Sequence, residues 1–162
     1  MKTNAVRILD KLTIPYSLRQ YEVDLDDLSA QAVAAKVQMP LSHTYKTLVC
    51  KGERTGYVFA VIAGDCELNL KHLASATSDR SCQLVALKEV QPLTGYVRGG
   101  VTVLGAKKAF PAYIDAAALA LPQISVSGGM RGLQIIIAPT DYVRATAAQA
   151  VEQLARPSDT GS

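Results

Sequence analysis

The sequence predicts a mixed α/β (α+β) protein, a single compact domain in which a curved, barrel-like mixed sheet is flanked by helices. Three observations carry this expectation. Runs such as "TYKTLVCKG" (44–52), "GYVFAVIAG" (56–64) and "LQIIIAP" (133–139) are strand-length, β-branched or aromatic, and bounded by turn residues. Other segments repeat apolar residues at spacings of three and four, the helical period. The two kinds are interspersed without a regular βαβ rhythm, which favours a mixed sheet over a parallel one. At 162 residues, 49% hydrophobic, the chain is long enough to bury a core. No linker divides it, so one domain is expected over 1–155, followed by a flexible polar tail over 156–162, "RPSDTGS".

Taken in order, Thr3 or Asn4 caps a first helix to about Leu12, with Ala5, Ile8, Leu9 and Leu12 on one face. "IPYSLRQYEV" (14–23) is a strand entered through Pro15. Ser29 caps a second helix, which Pro40 follows. The strands 44–52 and 56–64 are neighbours joined by the turn "KGERTG". "LNLKHLASAT" (68–77) is helical, and "CQLVAL" (82–87) is either a strand or the lead into a short helix. "AYIDAAALAL" (112–121) starts extended and ends helical, and "ISVS" (124–127) and 133–139 are strands around a glycine-rich turn. A final helix is expected from Asp141 to about Ala155, its apolar face formed by Tyr142, Val143, Ala147, Ala150, Val151 and Leu154.

Composition narrows the function classes. The three cysteines, Cys50, Cys66 and Cys82, are odd in number and far apart, so neither a disulfide framework nor a zinc site is suggested, and free thiols fit the cytoplasm. His43 and His72 lack metal-ligand spacing, and no metal or other cofactor is expected. The N-terminus has no apolar core of a signal peptide, and no run reaches membrane-spanning length. A net charge of +3 is too weak to argue for nucleic acid by itself, although it permits a polyanionic partner. A monomer is expected. There is no G-x-S-x-G elbow and no P-loop lysine, and Cys50 and Cys66 sit in or beside apolar strands.

Two glycine-rich stretches and one lysine remain. "TGYVRGGVTVLG" (94–105) and "VSGGMRGLQIII" (126–137) each place a Gly-Gly pair beside an arginine. One reading is turn structure, Gly128-Gly129 supplying positive φ to a hairpin that has no need of Gly132. The other is a set of exposed amides that hold an anion or an oxyanion. Alternation in "TYKTLVC" puts Lys46 on the face of Leu48 and Cys50, either as an edge lysine or as a cation at a pocket rim. The sequence does not choose.

Together, "YEVD" (21–24), "YKTLV" (45–49), "TGYVRGGVTVLGAKK" (94–108), "YID" (113–115) and "VSGGMRG" (126–132) resemble the YbaK family of aminoacyl-tRNA deacylases, relatives of the editing domain inserted in bacterial prolyl-tRNA synthetase. The resemblance covers nearly the whole chain. It implies trans-editing of mischarged tRNA, most often Cys-tRNA(Pro), with the substrate's own thiol attacking the ester. That arrangement would account for the lack of a protein nucleophile. Size alone separates cysteine poorly from proline in a synthetase pocket, hence the need for a second site.

Carried over by position, Lys46 matches the key lysine and Gly99 the anchoring amide, while Tyr21 and Ser127 match pocket-lining positions. Gly99 and Gly100 amides would then take the ester carbonyl, Lys46 the acceptor-end phosphate or ribose, and Gly128 and Gly129 a pocket wall. Arg98 and Arg131 would attract the acceptor stem, with prolyl-tRNA synthetase as a possible partner. Two departures bear on specificity. Gln134 stands where many relatives have an acidic residue, and Thr102-Val103 stands in a pocket-lining loop where relatives often have Ser-Pro. The alternatives are a non-catalytic tRNA- or synthetase-binding module and a deacylase for another small amino acid such as alanine.

Overall fold

The computed structural model describes residues 2–158. The chain runs α1 (Asn4–Lys11), β1 (Ser17–Gln20), α2 (Ala30–Val37), β2 (Tyr45–Gly52), β3 (Gly56–Ala63), β4 (Cys66–Leu68), α3 (Leu70–Thr77), β5 (Cys82–Leu84), α4 (Leu87–Thr94), β6 (Ala112–Asp115), β7 (Ile124–Ser127), β8 (Leu133–Ile137), α5 (Pro139–Thr146), β9 (Gln149–Val151) and β10 (Ala155–Pro157). These strands form a five-stranded mixed sheet, β5-β2-β3-β6-β9, a three-stranded antiparallel sheet, β1-β8-β7, and the pair β10-β4. The mixed α/β class holds, but the sheets do not close into a barrel. The large sheet ends at β5 and β9, and the two main sheets meet through a single parallel bridge, Thr44↔Ser125.

The burial pattern follows from the sequence. β3 is apolar at nearly every position because both its faces are covered. Phe59, Val61 and Ala63 face a core shared with α1, β7, β8 and Tyr142, while Val58, Ala60 and Ile62 face a second core with Leu73 and Leu154. Helix starts are set by local side-chain acceptors. Thr3 Oγ1 accepts from the Val6 N–H at 3.2 Å, Ser29 Oγ from Ala32 N–H at 3.1 Å, and Asn69 Oδ1 from His72 N–H at 3.1 Å.

Three stretches differ from expectation. Residues 66–68, expected in part to open a helix, form β4, and α3 starts at Leu70 behind its Asn69 cap. Both readings of 82–87 are realised, β5 leading into α4, which continues to Thr94 despite Pro92. The last helix stops at Thr146 rather than near Ala155. Ala147 turns left-handed at φ 57, and the Ala148 N–H donates to Thr146 Oγ1 at 3.2 Å. The chain then leaves as β9, which covers the open edge of β6 in parallel register. Ala150, Val151 and Leu154 are thus strand and loop residues, and their spacing satisfies a strand as well as a helix. Arg156 and Pro157, expected in the tail, belong to β10, and the rest of the expected tail, 159–162, lies outside the described residues. No helix among the described residues is long and apolar enough to cross a membrane.

Candidate active site

The site grows out of an unpaired strand edge. Gly64 N–H donates to Thr44 O at 2.7 Å on the β3 side of β2, whereas Val85 N–H donates to Val49 O at 3.0 Å on the other side. Main-chain groups alternate sides along a strand, so Tyr45, Thr47 and Val49 present theirs away from β3. β5 pairs only with Cys50, Lys51 and Gly52, and the other sheet is bridged to this stretch only through Thr44, just before β2. Between those two contacts no strand is paired with this side of β2, and a cavity of about 350 Å³ opens there.

Its walls come from four places. The start of α2 supplies Leu28, Ala30 and Val33, and β5 with α4 supplies Leu84, Val85, Leu87 and Val90. The first glycine corner supplies Arg98, Gly99 and Val101, and the three-stranded sheet supplies Ser127 and Gln134. Thr44 and the first five residues of β2, Tyr45 to Val49, complete the lining, Lys46 among them. Among the described residues, no aspartate, glutamate, histidine or cysteine lines the cavity. It is an apolar chamber with a few uncharged polar groups and cations.

Lys46 lies with Leu48 and Cys50 on the face opposite Tyr45 and Val49, as alternation requires. Its side chain is half-buried, and Nζ donates to Gly64 O at 3.4 Å. Burial pulls its pKa below the ordinary 10.5, partly opposed by the neighbouring Cys66, Asp65 and Glu67. The cysteines are chemically quiet. Burial pushes the Cys50 thiol up to about 12, and burial with the Asp65 carboxylate pushes Cys66 up to about 11.

The glycine corners divide between structure and site. Val97–Gly100 is a turn closed by Gly100 N–H donating to Val97 O at 2.9 Å, with Gly99 at φ +89 in the position that type II geometry reserves for glycine. The Gly100 amide is therefore spent, which corrects the expectation that it joins Gly99 in holding a carbonyl. In the second corner the Gly128 N–H donates to Leu133 O at 2.9 Å and the Gly129 N–H to Ser127 Oγ at 3.1 Å. Neither amide is open to a ligand, and neither residue lines the cavity. The positive φ positions there are Gly129 and Gly132, not Gly128, and Gly132 also lets the Tyr21 carbonyl approach. That is the need for Gly132 which a two-residue turn does not supply. Of the four paired-glycine amides, only Gly99's has no partner among the described residues.

Lys46, Arg98, Gly99 and Ser127 thus share one cavity, while Tyr21, Gly100, Gly128, Gly129 and Arg131 lie outside its lining. Tyr21 packs its ring under Lys36 Nζ, 6.0 Å from the ring centre, and its N–H donates to Gly132 O at 2.9 Å. Arg131 Nε donates to Arg98 O at 2.7 Å, tying the two corners together. Gln134 is on the wall, with Oε1 accepting from Ser125 Oγ at 2.8 Å. Thr102 does not line the pocket. It is buried in the core, its Oγ1 3.3 Å from Tyr142 Oη, and Val103 packs against the same core, so neither reaches the cavity, which the chain leaves at Val101.

Sequence reasoning missed the apolar wall of Leu84, Val85, Leu87 and Val90. The spacing of Leu87 and Val90 was the available signal, and Pro92 concealed the helix that carries it.

The chamber thus combines cations and hydroxyl groups with an apolar wall, and among the described residues no thiol, imidazole or carboxylate lines it. The chain belongs to the aminoacyl-tRNA editing domain family, whose pattern it matches over residues 27–145. Its resemblance is to the YbaK-type deacylases within that family. It is 40% identical over 151 residues, 93% of this chain and 92% of the other, to EbsC of Enterococcus faecalis, provisionally named a Cys-tRNA(Pro)/Cys-tRNA(Cys) deacylase. It is 34% identical over 80 residues to a proline–tRNA ligase of Thermosipho africanus, covering 49% of this chain and 14% of that enzyme. Two solved structures share the fold. The hypothetical protein APE2540 aligns with a TM-score of 0.86 at 21% identity, over 95% of this chain and 100% of that one. A protein provisionally described as a trans-editing enzyme for prolyl tRNA synthetase aligns with a TM-score of 0.78 at 24% identity, over 94% and 97%.

Proposed function

We propose that this chain removes cysteine from mischarged proline-specific tRNA in trans, with the substrate's own thiol as nucleophile. The observation that carries the reading is a cavity holding Lys46, the unpartnered Gly99 N–H and the Ser127 hydroxyl, with no cysteine, histidine or carboxylate in its lining. Such a site can position an ester and stabilise an oxyanion, but it has no thiol to attack with and no imidazole or carboxylate to activate its hydroxyls. A cysteinyl ester brings the missing group, a thiol with an ordinary pKa of about 8.5 that is fractionally ionised at neutral pH. The names of the E. faecalis relative and of the structural neighbour point the same way.

In the proposed step the thiolate sulfur bonds to the ester carbonyl carbon and the carbon–oxygen bond to the terminal ribose breaks. The proton given up by the thiol ends on the ribose oxygen. The cyclic thioester that leaves is then opened by water. Gly99 N–H donates to the developing oxyanion, Lys46 holds the terminal phosphate or ribose, and Arg98 at the cavity mouth attracts the acceptor stem. Ser127 keeps its O–H free to donate, because its oxygen already accepts from Gly129. The apolar walls exclude water and suit a small side chain. Prolyl-tRNA synthetase is the natural source of tRNA to be cleared, and the editor works in the cytoplasm as a monomer.

The test is incubation of the protein with Cys-, Ala- and Pro-charged tRNA, following ester loss. Loss of Cys alone, abolished when the substrate thiol is alkylated, is the expected result. Clearance of Ala at a comparable rate would replace thiol attack with water attack. Binding of tRNA without loss of any ester would make the chain a binding module, the reading that uncharged Gln134 favours.

A further inference from the structure

We infer that Arg131 is a positioning residue for the Gly99 amide, acting through the peptide plane rather than through its charge. The inference rests on the proposal that Gly99 N–H receives the ester carbonyl.

The Arg98–Gly99 peptide is the central unit of the turn Val97–Gly100, the unit that can flip between type I and type II orientations. In the type II form its carbonyl stands on the side where a Cβ on the third residue would project, which is why glycine is needed there. The structure shows that arrangement. A Cβ built on Gly99 would sit 3.4 Å from Arg131 Cγ and 3.6 Å from Nε, and Arg131 Nε donates to Arg98 O at 2.7 Å. Arg131 therefore occupies the carbonyl side. A trans peptide puts its N–H opposite its C=O, so the Gly99 N–H is aimed away from Arg131. Gly99 lines the cavity and its amide has no partner among the described residues.

A flip would turn the carbonyl oxygen to where the amide donor stands and remove the only free glycine amide from the site. The Arg131 hydrogen bond opposes that flip. The second glycine corner has a purpose in this arrangement that does not require its own amides. It holds Arg131 against the first corner, where Met130 Cα lies 3.1 Å from a Cβ built on Gly100.

Side-chain geometry separates this role from attraction of tRNA. Glutamine carries an amide nitrogen at the chain position of arginine Nε but no charge. Lysine keeps the charge but has a methylene there. Arg131→Gln and Arg131→Lys are compared in single-turnover deacylation of Cys-tRNA. The position of the Gly99 amide resonance in the full-length protein is read separately by NMR.

Arg131→Gln is expected to stay within about threefold of wild type, with its Gly99 resonance little changed. Arg131→Lys is expected to lose roughly 10–100-fold in the chemical step at unchanged KM, with the resonance displaced. A normal rate for Arg131→Lys with a raised KM for Arg131→Gln would overturn the inference in favour of charge attraction. Equal behaviour of the two variants, both normal or both impaired, would also overturn it. If the wild-type protein clears no ester, the proposed function fails. The NMR comparison still tests the geometry, where equal Gly99 shifts in the two variants would count against it.

Discussion

Lys46 combines two costs that a purely structural residue would not carry. Its ammonium is half-buried with one long hydrogen bond, and burial lowers its pKa below 10.5. The sign of the linkage follows from that shift. Between the lowered folded value and 10.5 the unfolded chain binds more protons, so stability rises as pH climbs through that window. Below it, burial of the charged form is a standing penalty. Lys46→Met, of similar length and apolar, should therefore raise the thermal midpoint at pH 7, with the gap to wild type closing toward pH 10. The same variant should lose deacylation by about 10–100-fold if the cation holds the acceptor end. Calorimetry checks the first outcome and ester loss the second. A variant less stable at pH 7 would show that the ammonium serves the fold, not the site.

At the scale of elements, two terminations shape the large sheet, and the first of them opens the site. β5 stops short along β2, leaving Thr47 without a paired strand on that side, and α5 stops at Thr146 so that β9 can cover β6. The second stop rests on Ala147 at φ 57, a conformation that costs an L-residue about 1 kcal/mol more than glycine. Ala147→Gly should consequently be neutral to about 1 kcal/mol stabilising, since the relief is partly offset by glycine's greater freedom in the unfolded chain. Ala145→Gly, inside the helix, should cost about 1 kcal/mol. Denaturant titration of both variants gives the comparison. Equal destabilisation by the two would mean that the helix runs past Ala147. Tyr142, buried on α5, anchors that helix to the loop after the first glycine corner, its Oη 3.3 Å from Thr102 Oγ1.

Over the whole molecule, the apolar cavity lies between two sheets that touch at one bridge, with Arg98 and Lys46 in its lining. A net charge of +3 adds little long-range attraction for a polyanion. Each phosphate neutralised lowers the slope of log affinity against log salt by a little under one. Two such contacts predict a slope of about −2 for kcat/KM on Cys-tRNA. Measurement from low to physiological salt tests this. A much steeper slope would require a basic tRNA-binding surface beyond the cavity. A steeper slope only when prolyl-tRNA synthetase is added would locate tRNA-body recognition in the partner.

The mixed α/β class, the antiparallel pair β2–β3, the first two helix caps and the face carrying Lys46 were legible in the sequence, because alternation and capping are local properties. So was the family, through five short motifs in a fixed order. The missing barrel closure, the strand at Gln149–Val151 and the α4 wall were not legible, because each depends on which distant edge needs a partner. An apolar spacing such as that of Ala150, Val151 and Leu154 fits either geometry until β6 offers its open side. The glycine pairs make the same point at the site. Their small size marked both corners in advance, yet only the folded turns decided which amides were consumed, by Val97 O, Leu133 O and Ser127 Oγ, and which one stayed free. Backbone groups are identical in every residue, so their availability is settled by neighbours in space and not by letters in the chain.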